Sequence, residues 1–248
     1  MTRAWVAGVG LWARGYANAA AWSRAPDATV TEPAAALLPA RLGRRASTLT
    51  RIAAEVLQQA GSGAAPRDIP TVFATAYGET QTLVALLDSV FTDGTCSPAR
   101  FHNSVHNTAG GTLSIATVNR ACSTTLSAGP DTVAMALLEC FALLQQRGGE
   151  VIAVFADEPP PAPFSRDGFA PAGAAVRLSA TPIAGAVPVR LRRAENEVPF
   201  EQRPEFATNP IAPSLALVAA LQQGRAGVFA LSAAAGRWTL EAGTVGDA

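Results

Sequence analysis

Apolar and polar residues follow two different periods along the first half of the chain, which predicts alternating strands and helices. The run from Trp5 to Gly10 alternates and is interrupted by glycines, as in a buried strand leading into a glycine-rich bend. Ser47 precedes residues 48–60, whose apolar positions recur at helical spacing, so a capped helix is predicted there. A second strand over residues 70–77 and a second helix with apolar residues from Leu83 to Phe91 follow.

The second half of the chain continues the pattern with a threonine-rich strand predicted over residues 122–128. Asp131 can cap the next helix, whose apolar stripe contains Val133, Leu137, Phe141 and Leu144. Residues 151–157 are continuously apolar, which is typical of a strand covered on both faces. Further predicted elements are strands over 173–178 and 187–193, a helix over 214–223 capped by Ser214, and a hairpin of residues 227–233 and 237–243.

The order of these elements predicts the fold class. Strands and helices alternate up to the strand at 151–157, and further strands follow, so we expect an α/β architecture with a central mixed sheet covered by helices. We expect one domain over residues 1–248, in which residues 159–248 form a less regular C-terminal extension.

Composition narrows the classes of partner and the compartment. Of the 248 residues, 49% are apolar and 15% are charged, and the net charge is zero, so neither a disordered chain nor a nucleic-acid-binding protein is expected. No apolar run reaches 18 residues, so no membrane span is expected. Three sparse cysteines indicate reduced thiols in a cytoplasmic protein. The first 22 residues weakly match a signal peptide, but their glycines and Arg14 count against one.

Three short motifs are candidates for chemistry. Gly8-x-Gly10 follows a strand as in a dinucleotide-binding loop, but the third glycine is missing, and a tight turn is the better interpretation. His102 and His106 are spaced for a shared metal ion, yet no nearby carboxylate completes a site, so we expect no metal or cofactor. Cys122, with His106 as its base, is a possible nucleophile, although a small buried apolar role suits it better.

The stretch from residue 97 to residue 132, SPARFHNSVHNTAGGTLSIATVNRACSTTLSAGPDT, resembles the core of the β-ketoacyl synthases of the thiolase superfamily. In that family an Asn-Ala-Gly-rich helix start leads to a strand that ends in Ala-Cys-x-Ser-Gly at the nucleophile turn. Ser104 to Asn107 and Ser127 to Thr132 are similar to signatures of short β-ketoacyl synthase N-terminal-domain proteins in aryl polyene clusters. The resemblance implies one thiolase-like half.

Departures from the family pattern decide the implied function. The nucleophile position falls on Gly129 or Pro130, neither of which can attack a carbonyl carbon. The two histidines that a ketosynthase needs come from a second half, and this chain holds no histidine after His106. The resemblance therefore implies a non-catalytic subunit, similar to a chain length factor, that pairs with an active β-ketoacyl synthase and meets acyl carrier protein only indirectly.

The resemblance also implies two functional regions. The strand that would pair with the partner subunit contains Ser123, Thr124, Thr125, Leu126, Ser127 and Ala128. The segment that would border the partner's acyl tunnel contains Phe101, His102, Asn103, Ser104, Val105, His106, Asn107 and Thr108. Two rival functions remain: a small acyltransferase or thioesterase that uses Cys122 and His106, and a homodimeric binding protein on the same fold.

Overall fold

The computed structural model describes residues 3–62, 67–162, 164, 168–194, 203–232 and 238–243. Its strands are β1 (Arg3–Ala13), β2 (Thr71–Ala74), β3 (Ser123–Leu126), β4 (Glu150–Asp157), β5 (Ala172–Ser179), β6 (Val187–Arg193), β7 (Gly227–Ala230) and β8 (Trp238–Ala242). Its α-helices are α1 (Ala40–Gly43), α2 (Thr48–Ala60), α3 (Thr80–Asp93), α4 (Pro98–His102), α5 (Thr108–Thr117), α6 (Thr132–Arg147) and α7 (Ala212–Gln222). These described residues contain no helix that is both long enough and apolar enough to cross a bilayer.

The eight strands form one sheet in the order β3-β2-β4-β5-β1-β6-β8-β7. The pairs β2–β3 and β2–β4 are parallel, and the remaining pairs are antiparallel, so the sheet is mixed as predicted. β1 lies at the centre between β5 and β6, although it is the first strand in sequence. The sheet therefore has two edges, β3 and β7.

Helices cover the two faces of the sheet and bury two apolar cores. On one face α6 and α7 pack over residues such as Leu137 and Leu215. On the other face α2 and α5 pack over residues such as Ile52 and Leu113. The expected α/β architecture of a helix-covered mixed sheet is confirmed.

Gly8 and Gly10 lie inside β1, so the predicted bend after the first strand is wrong. A β-carbon on Gly10 would lie 2.2 Å from the Val56 carbonyl oxygen, and one on Gly8 would lie 2.3 Å from the Ala60 oxygen. The glycines therefore let α2 lie directly on the strand. A register shift between Val6 and Gly8 marks a β-bulge, which changes the face that each later residue of β1 presents.

The predicted helix caps have different outcomes. The Ser47 hydroxyl accepts from the Thr50 N–H at 3.0 Å and caps α2, as predicted. Asp131 stands at the cap position of α6 without capping it, because its carboxylate instead accepts from the Ser232 hydroxyl at 2.6 Å. Ser214 lies inside the first turn of α7 and donates to the Ile211 oxygen at 2.7 Å, so that cap is also wrong.

The other predicted elements occur with shifted bounds. The strand predicted over 122–128 covers only Ser123–Leu126, because a 3-10 turn over Gly129–Asp131 follows it closely. Ser127 and Ala128 therefore lie outside the strand. The predicted hairpin is present as β7 and β8, and residues 233–237 of that prediction lie outside the described residues.

Candidate functional site

The turn between β3 and α6 is built from backbone and hydroxyl groups and carries no nucleophile. Gly129 has a φ of 54°, in the left-handed region that glycine adopts without strain. The Thr132 hydroxyl accepts from the Ala128 N–H at 3.1 Å and donates to the Gly129 oxygen at 2.7 Å, which closes the turn. The Ser127 hydroxyl donates to the Ala76 oxygen at 3.0 Å and joins the turn to the loop after β2.

The family motif Cys-x-Ser-Gly can be matched to this turn in a second way. If its glycine is matched to Gly129, its cysteine falls on Leu126, the last residue of β3. Leu126 is half-buried and packs against the main core. Leu126, Gly129 and Pro130 all lack a thiol or hydroxyl, so no alignment of the motif places a nucleophile on its cysteine position.

Asp157, the last residue of β4, fixes the loop that follows β2. Its carboxylate accepts from the Thr75 hydroxyl at 2.6 Å and from the backbone N–H groups of Ala76 and Tyr77 at 2.8 Å and 3.1 Å. Burial raises the pKa of Asp157 to about 6, and these hydrogen bonds counteract part of that increase. The loop therefore stays in place beside the turn, because Ala76 also accepts from Ser127.

Two further buried carboxyl groups lie near Asp157. Glu79 accepts from the Ser47 hydroxyl at 2.7 Å and from the Thr50 hydroxyl at 3.0 Å, and burial raises its pKa. Burial, together with the charges of Glu79 and Asp157, raises the pKa of Glu158 to about 7. The sequence analysis missed this cluster, although a carboxylate pair directly after the apolar strand was a signal for it.

The segment from Phe101 to Thr108, here called the entrance segment, folds into α4, a turn and the start of α5. The Ser104 hydroxyl donates to the Phe101 oxygen at 2.9 Å, and the Thr108 hydroxyl donates to the His102 oxygen at 3.2 Å. These bonds leave Phe101 58% exposed and Val105 41% exposed. Both apolar side chains are thus held at the surface by polar residues on either side of them.

The remaining members of the entrance segment contact different neighbours. The Asn103 side chain donates to the Arg45 oxygen at 3.4 Å. The His106 ring packs against Gly78, where a β-carbon would lie 3.0 Å from it. Asn107 stands at the cap position of α5 without a capping bond from its side chain.

β3 presents an open edge. The Thr71 N–H donates to the Cys122 oxygen at 3.0 Å, and the Thr75 N–H donates to the Leu126 oxygen at 3.2 Å. Because strand residues alternate in direction, the backbone groups of Ser123 and Thr125 face away from β2. No strand covers that side within the described part of the chain. Beside it a groove of about 470 Å³ is lined by His106, Asn107, Gly111, Ser114, Ser123 and Thr125.

Cys122 and His106 do not form a catalytic pair. Cys122 precedes β3 and is level with Thr71, at the start of β2. His106 packs against Gly78, beyond the opposite end of β2. The four residues of β2 alone span about 10 Å, and no hydrogen bond joins the two side chains in the described structure.

A second groove, of about 940 Å³, adjoins the entrance segment. Its floor includes Leu42 and Ile115, and its rim carries the exposed arginines Arg41, Arg44, Arg45 and Arg100. His102 lines this groove, whereas His106 lines the groove beside β3. The two histidines therefore face different spaces, and the described residues contain no cluster of side chains suited to a metal ion.

Fold and site together define the thiolase-like half of a ketosynthase. The chain belongs to the β-ketoacyl synthase N-terminal-domain family, whose profile matches residues 19–240. The resemblance of residues 97–132 to that family is therefore confirmed. A search of the curated proteins found no match.

Solved structures agree with this assignment of the fold. A chain of "Ketosynthase (ApeO) in Complex with its Chain Length Factor (ApeC) from Xenorhabdus doucetiae" is 20% identical, with a TM-score of 0.70 over 95% of this chain and 98% of that chain. "The ishigamide ketosynthase/chain length factor" is 16% identical, with a TM-score of 0.61 over 77% and 68% of the two chains.

A third solved structure has the same fold. It is a type II polyketide synthase acyl-carrier protein in complex with its ketosynthase, AntDE:AntF, with 12% identity and a TM-score of 0.63 over 78% and 70% of the two chains. This chain thus spans almost the whole of its X. doucetiae counterpart but only about 70% of the other two.

Proposed function

We propose that this chain is a non-catalytic, chain-length-factor-like subunit that pairs with an active β-ketoacyl synthase. In this role it shapes the elongation of a polyene or polyketide acyl chain carried on acyl carrier protein. The acyl carrier protein is met indirectly, through the partner. The observation that carries the proposal is a strand-to-helix turn without a nucleophile, directly after an unpaired edge strand.

The chemistry of the turn supports a non-catalytic role. An acyl-enzyme intermediate needs a thiol or hydroxyl at the nucleophile position, and Leu126, Gly129 and Pro130 supply neither. The Ser127 hydroxyl is bonded to the Ala76 oxygen, and no histidine follows His106 in the chain. The reaction then belongs to the partner, whose own cysteine and histidines form its catalytic site.

The open edge of β3 supports a protein partner. Unpaired strand backbones bind other strands readily, and monomeric proteins usually cover or charge such edges. Here the edge residues Ser123 and Thr125 are uncharged, so a partner strand can add to the sheet through main-chain hydrogen bonds. The length match with a chain of the X. doucetiae ketosynthase and chain length factor complex favours the same kind of assembly.

The entrance segment supports control of chain length. Phe101 and Val105 are apolar, exposed and held in place by the local bonds of Ser104 and Thr108. In the proposed complex they border the floor of the partner's acyl tunnel, so their bulk limits how far the growing chain extends.

Co-expression with the ketosynthase encoded beside this chain tests the proposal. We expect the two to co-purify as a complex whose mass is the sum of both subunits, and acyl products to form only in the complex. Phe101→Ala and Val105→Ala should lengthen the products, whereas Val228→Ala, at the other sheet edge, should not. A stable monomer that does not bind the ketosynthase would remove the proposal.

The two rival functions give different results. A self-sufficient acyltransferase or thioesterase would hydrolyse or transfer an acyl thioester without a partner and would lose that turnover in Cys122→Ala and His106→Ala. We expect no such turnover to be present. A homodimeric binding protein would have twice the mass of the chain in solution and would keep it in the presence of the ketosynthase.

A further inference from the structure

Glu158 follows β4 and is 8% exposed, so more than nine-tenths of the residue is buried. It is a wall of a groove of about 500 Å³ formed by Ser47, Thr48, Gln81, Thr82, Ala85 and Arg100. Within the described residues no hydrogen bond or ion pair reaches its carboxyl group, and the ion pairs found there are Arg177–Glu150 and Arg192–Glu241. A buried carboxylate without a partner is costly, so this one needs an explanation.

The charges around Glu158 make the lack of a cation more pronounced. Glu79, at the cap position of α3, and Asp157, at the end of β4, both act on it with the same sign. Arg100 of α4 is the cation that shares the groove, but its guanidinium donates to the Ser89 hydroxyl at 3.2 Å. The groove is therefore a negatively charged recess, open to an incoming cation.

A protein side chain suits this recess better than a metal ion. The described residues contain no group of three His, Cys, Asp or Glu side chains that could hold a metal. A Lys or Arg head group needs only a carboxylate and one or two further acceptors. The Gln81 side chain can supply one, because its amide nitrogen donates to the Pro159 oxygen and its carbonyl oxygen stays available.

The position of the recess makes the partner subunit the source of the cation. The recess shares Ser47, Thr82 and Arg100 with the larger groove that adjoins the entrance segment. Leu83 and Leu87, on the same helix as Gln81, are 40% and 42% exposed. A partner seated on these apolar side chains and on the entrance segment has its own side chains within reach of Glu158.

We infer that Glu158 receives a lysine or arginine side chain of the partner ketosynthase and serves as an electrostatic anchor of the complex. This rests on the proposed function and adds a specific contact to it. An unpaired buried charge destabilises the isolated subunit and is stabilised on assembly. Glu158 therefore makes the isolated chain less stable and the complex tighter.

The pH dependence of the isolated chain has a defined sign. The pKa of Glu158 is about 7 in the folded chain, against an ordinary value of 4.5, so the folded chain holds the proton more tightly than the unfolded one. The stability that this confers is fully present below pH 4.5 and is lost as the pH rises through 7. Glu158→Gln should therefore raise Tm by a few degrees at pH 8 and have little effect at pH 4.5.

The complex should respond in the opposite direction. Glu158→Gln should weaken binding to the ketosynthase at pH 8 by at least about tenfold, since a desolvated charge pair is lost. Wild-type binding should strengthen from pH 6 to pH 8 as Glu158 ionises. Titration calorimetry in buffers of different ionisation enthalpy should show about half a proton released at pH 7, and none for the variant.

Glu32→Gln is the matched control, because Glu32 is an exposed carboxylate, and it should change neither measurement. If Glu158→Gln destabilises the isolated chain or leaves its pH dependence unchanged, Glu158 already has a cation from this chain and the inference is overturned. It is also overturned if both variants bind the ketosynthase as tightly as wild type. If wild type itself does not bind, the proposed function fails instead.

Discussion

The two edges of the sheet, β3 and β7, are both four residues long and have different surroundings. β7 ends in the core, with Ala230 buried and Phe229 packed against the main apolar cluster, and α7 lies against it. None of the four residues of β3 is fully buried. Of the twelve exposed large apolar residues that the described structure contains, eight lie between Tyr77 and Val118, on the β3 side, and Val228 alone lies in β7.

This difference separates an edge that the chain covers itself from an edge that it leaves open. Beside β7, Arg203 lies between the rings of Tyr16 and Trp22, 4.7 Å from each centroid, and fastens the C-terminal part to the first loop. Beside β3, Thr125 and its neighbours have exposed apolar side chains around them and no comparable cover. An open edge with an apolar surround is typical of a protein interface rather than of a finished monomer surface.

A proline at each edge should break the symmetry between them most strongly. The Thr125 N–H faces away from β2, so Thr125→Pro removes a donor to a partner strand and keeps the β2 pairing. We expect at least about a 100-fold loss of ketosynthase affinity, since such a proline costs about 3 kcal/mol. The free energy of unfolding of the isolated chain should fall by less than about 1 kcal/mol.

Val228→Pro is the matched variant at the other edge. The Leu231 N–H donates to the Trp238 oxygen, and antiparallel pairs alternate, so the Val228 N–H also faces away from its neighbouring strand. Its affinity for the ketosynthase should equal that of wild type in the same binding assay. Equal losses in both variants would show that the two edges do not differ in function.

Arg203→Ala sharpens the comparison from the β7 side. Arg203 donates to the Tyr16 hydroxyl at 2.6 Å and to the Trp22 carbonyl oxygen, and it stacks on both rings. We expect a loss of about 2–3 kcal/mol in the free energy of unfolding, measured in urea, and no change in ketosynthase affinity. Arg203→Lys should lose most of the same stability, because lysine lacks the planar fork. A weakened complex would place this region in the interface.

Gly129→Ala should have the smallest effect. A β-carbon on Gly129 meets nothing within 4 Å, but its φ of 54° is strained for alanine, at a cost of about 1 kcal/mol. Thermal unfolding should shift down by about 2–4 °C. Affinity for the ketosynthase should stay within about twofold, because the turn contributes its shape and no reactive group. A large loss of affinity would mean that Gly129 itself contacts the partner.

Local patterns predicted the regular elements well. The apolar spacing of α2 and its Ser47 cap act within a few residues, and the apolar run of β4 requires cover on both faces wherever it lies. The resemblance of residues 97–132 added the helix α5, which composition alone did not predict because the stretch is rich in asparagine and glycine.

Long-range contacts account for what the sequence did not predict. Asp131 has the residue type of a helix cap, but its carboxylate bonds to Ser232, 101 residues later. Gly10 has the residue type of a turn, but α2 needs the space above it. The Asp157 carboxylate binds the loop after β2, about 80 residues away in sequence. Periodicity gives no information on such pairs, and neither Glu158 nor its recess could be inferred from it.

The central place of β1 has a consequence for how the chain is made. Trp5 pairs with Ser179 and Arg3 pairs with Arg190, so both neighbours of the first strand are synthesised some 170 residues later. At translation rates of about 5–20 residues per second, β1 waits about 10–40 s for them. During that time its apolar residues are available to chaperones. The partner surface at β3 is therefore complete only after the ribosome has translated most of the message.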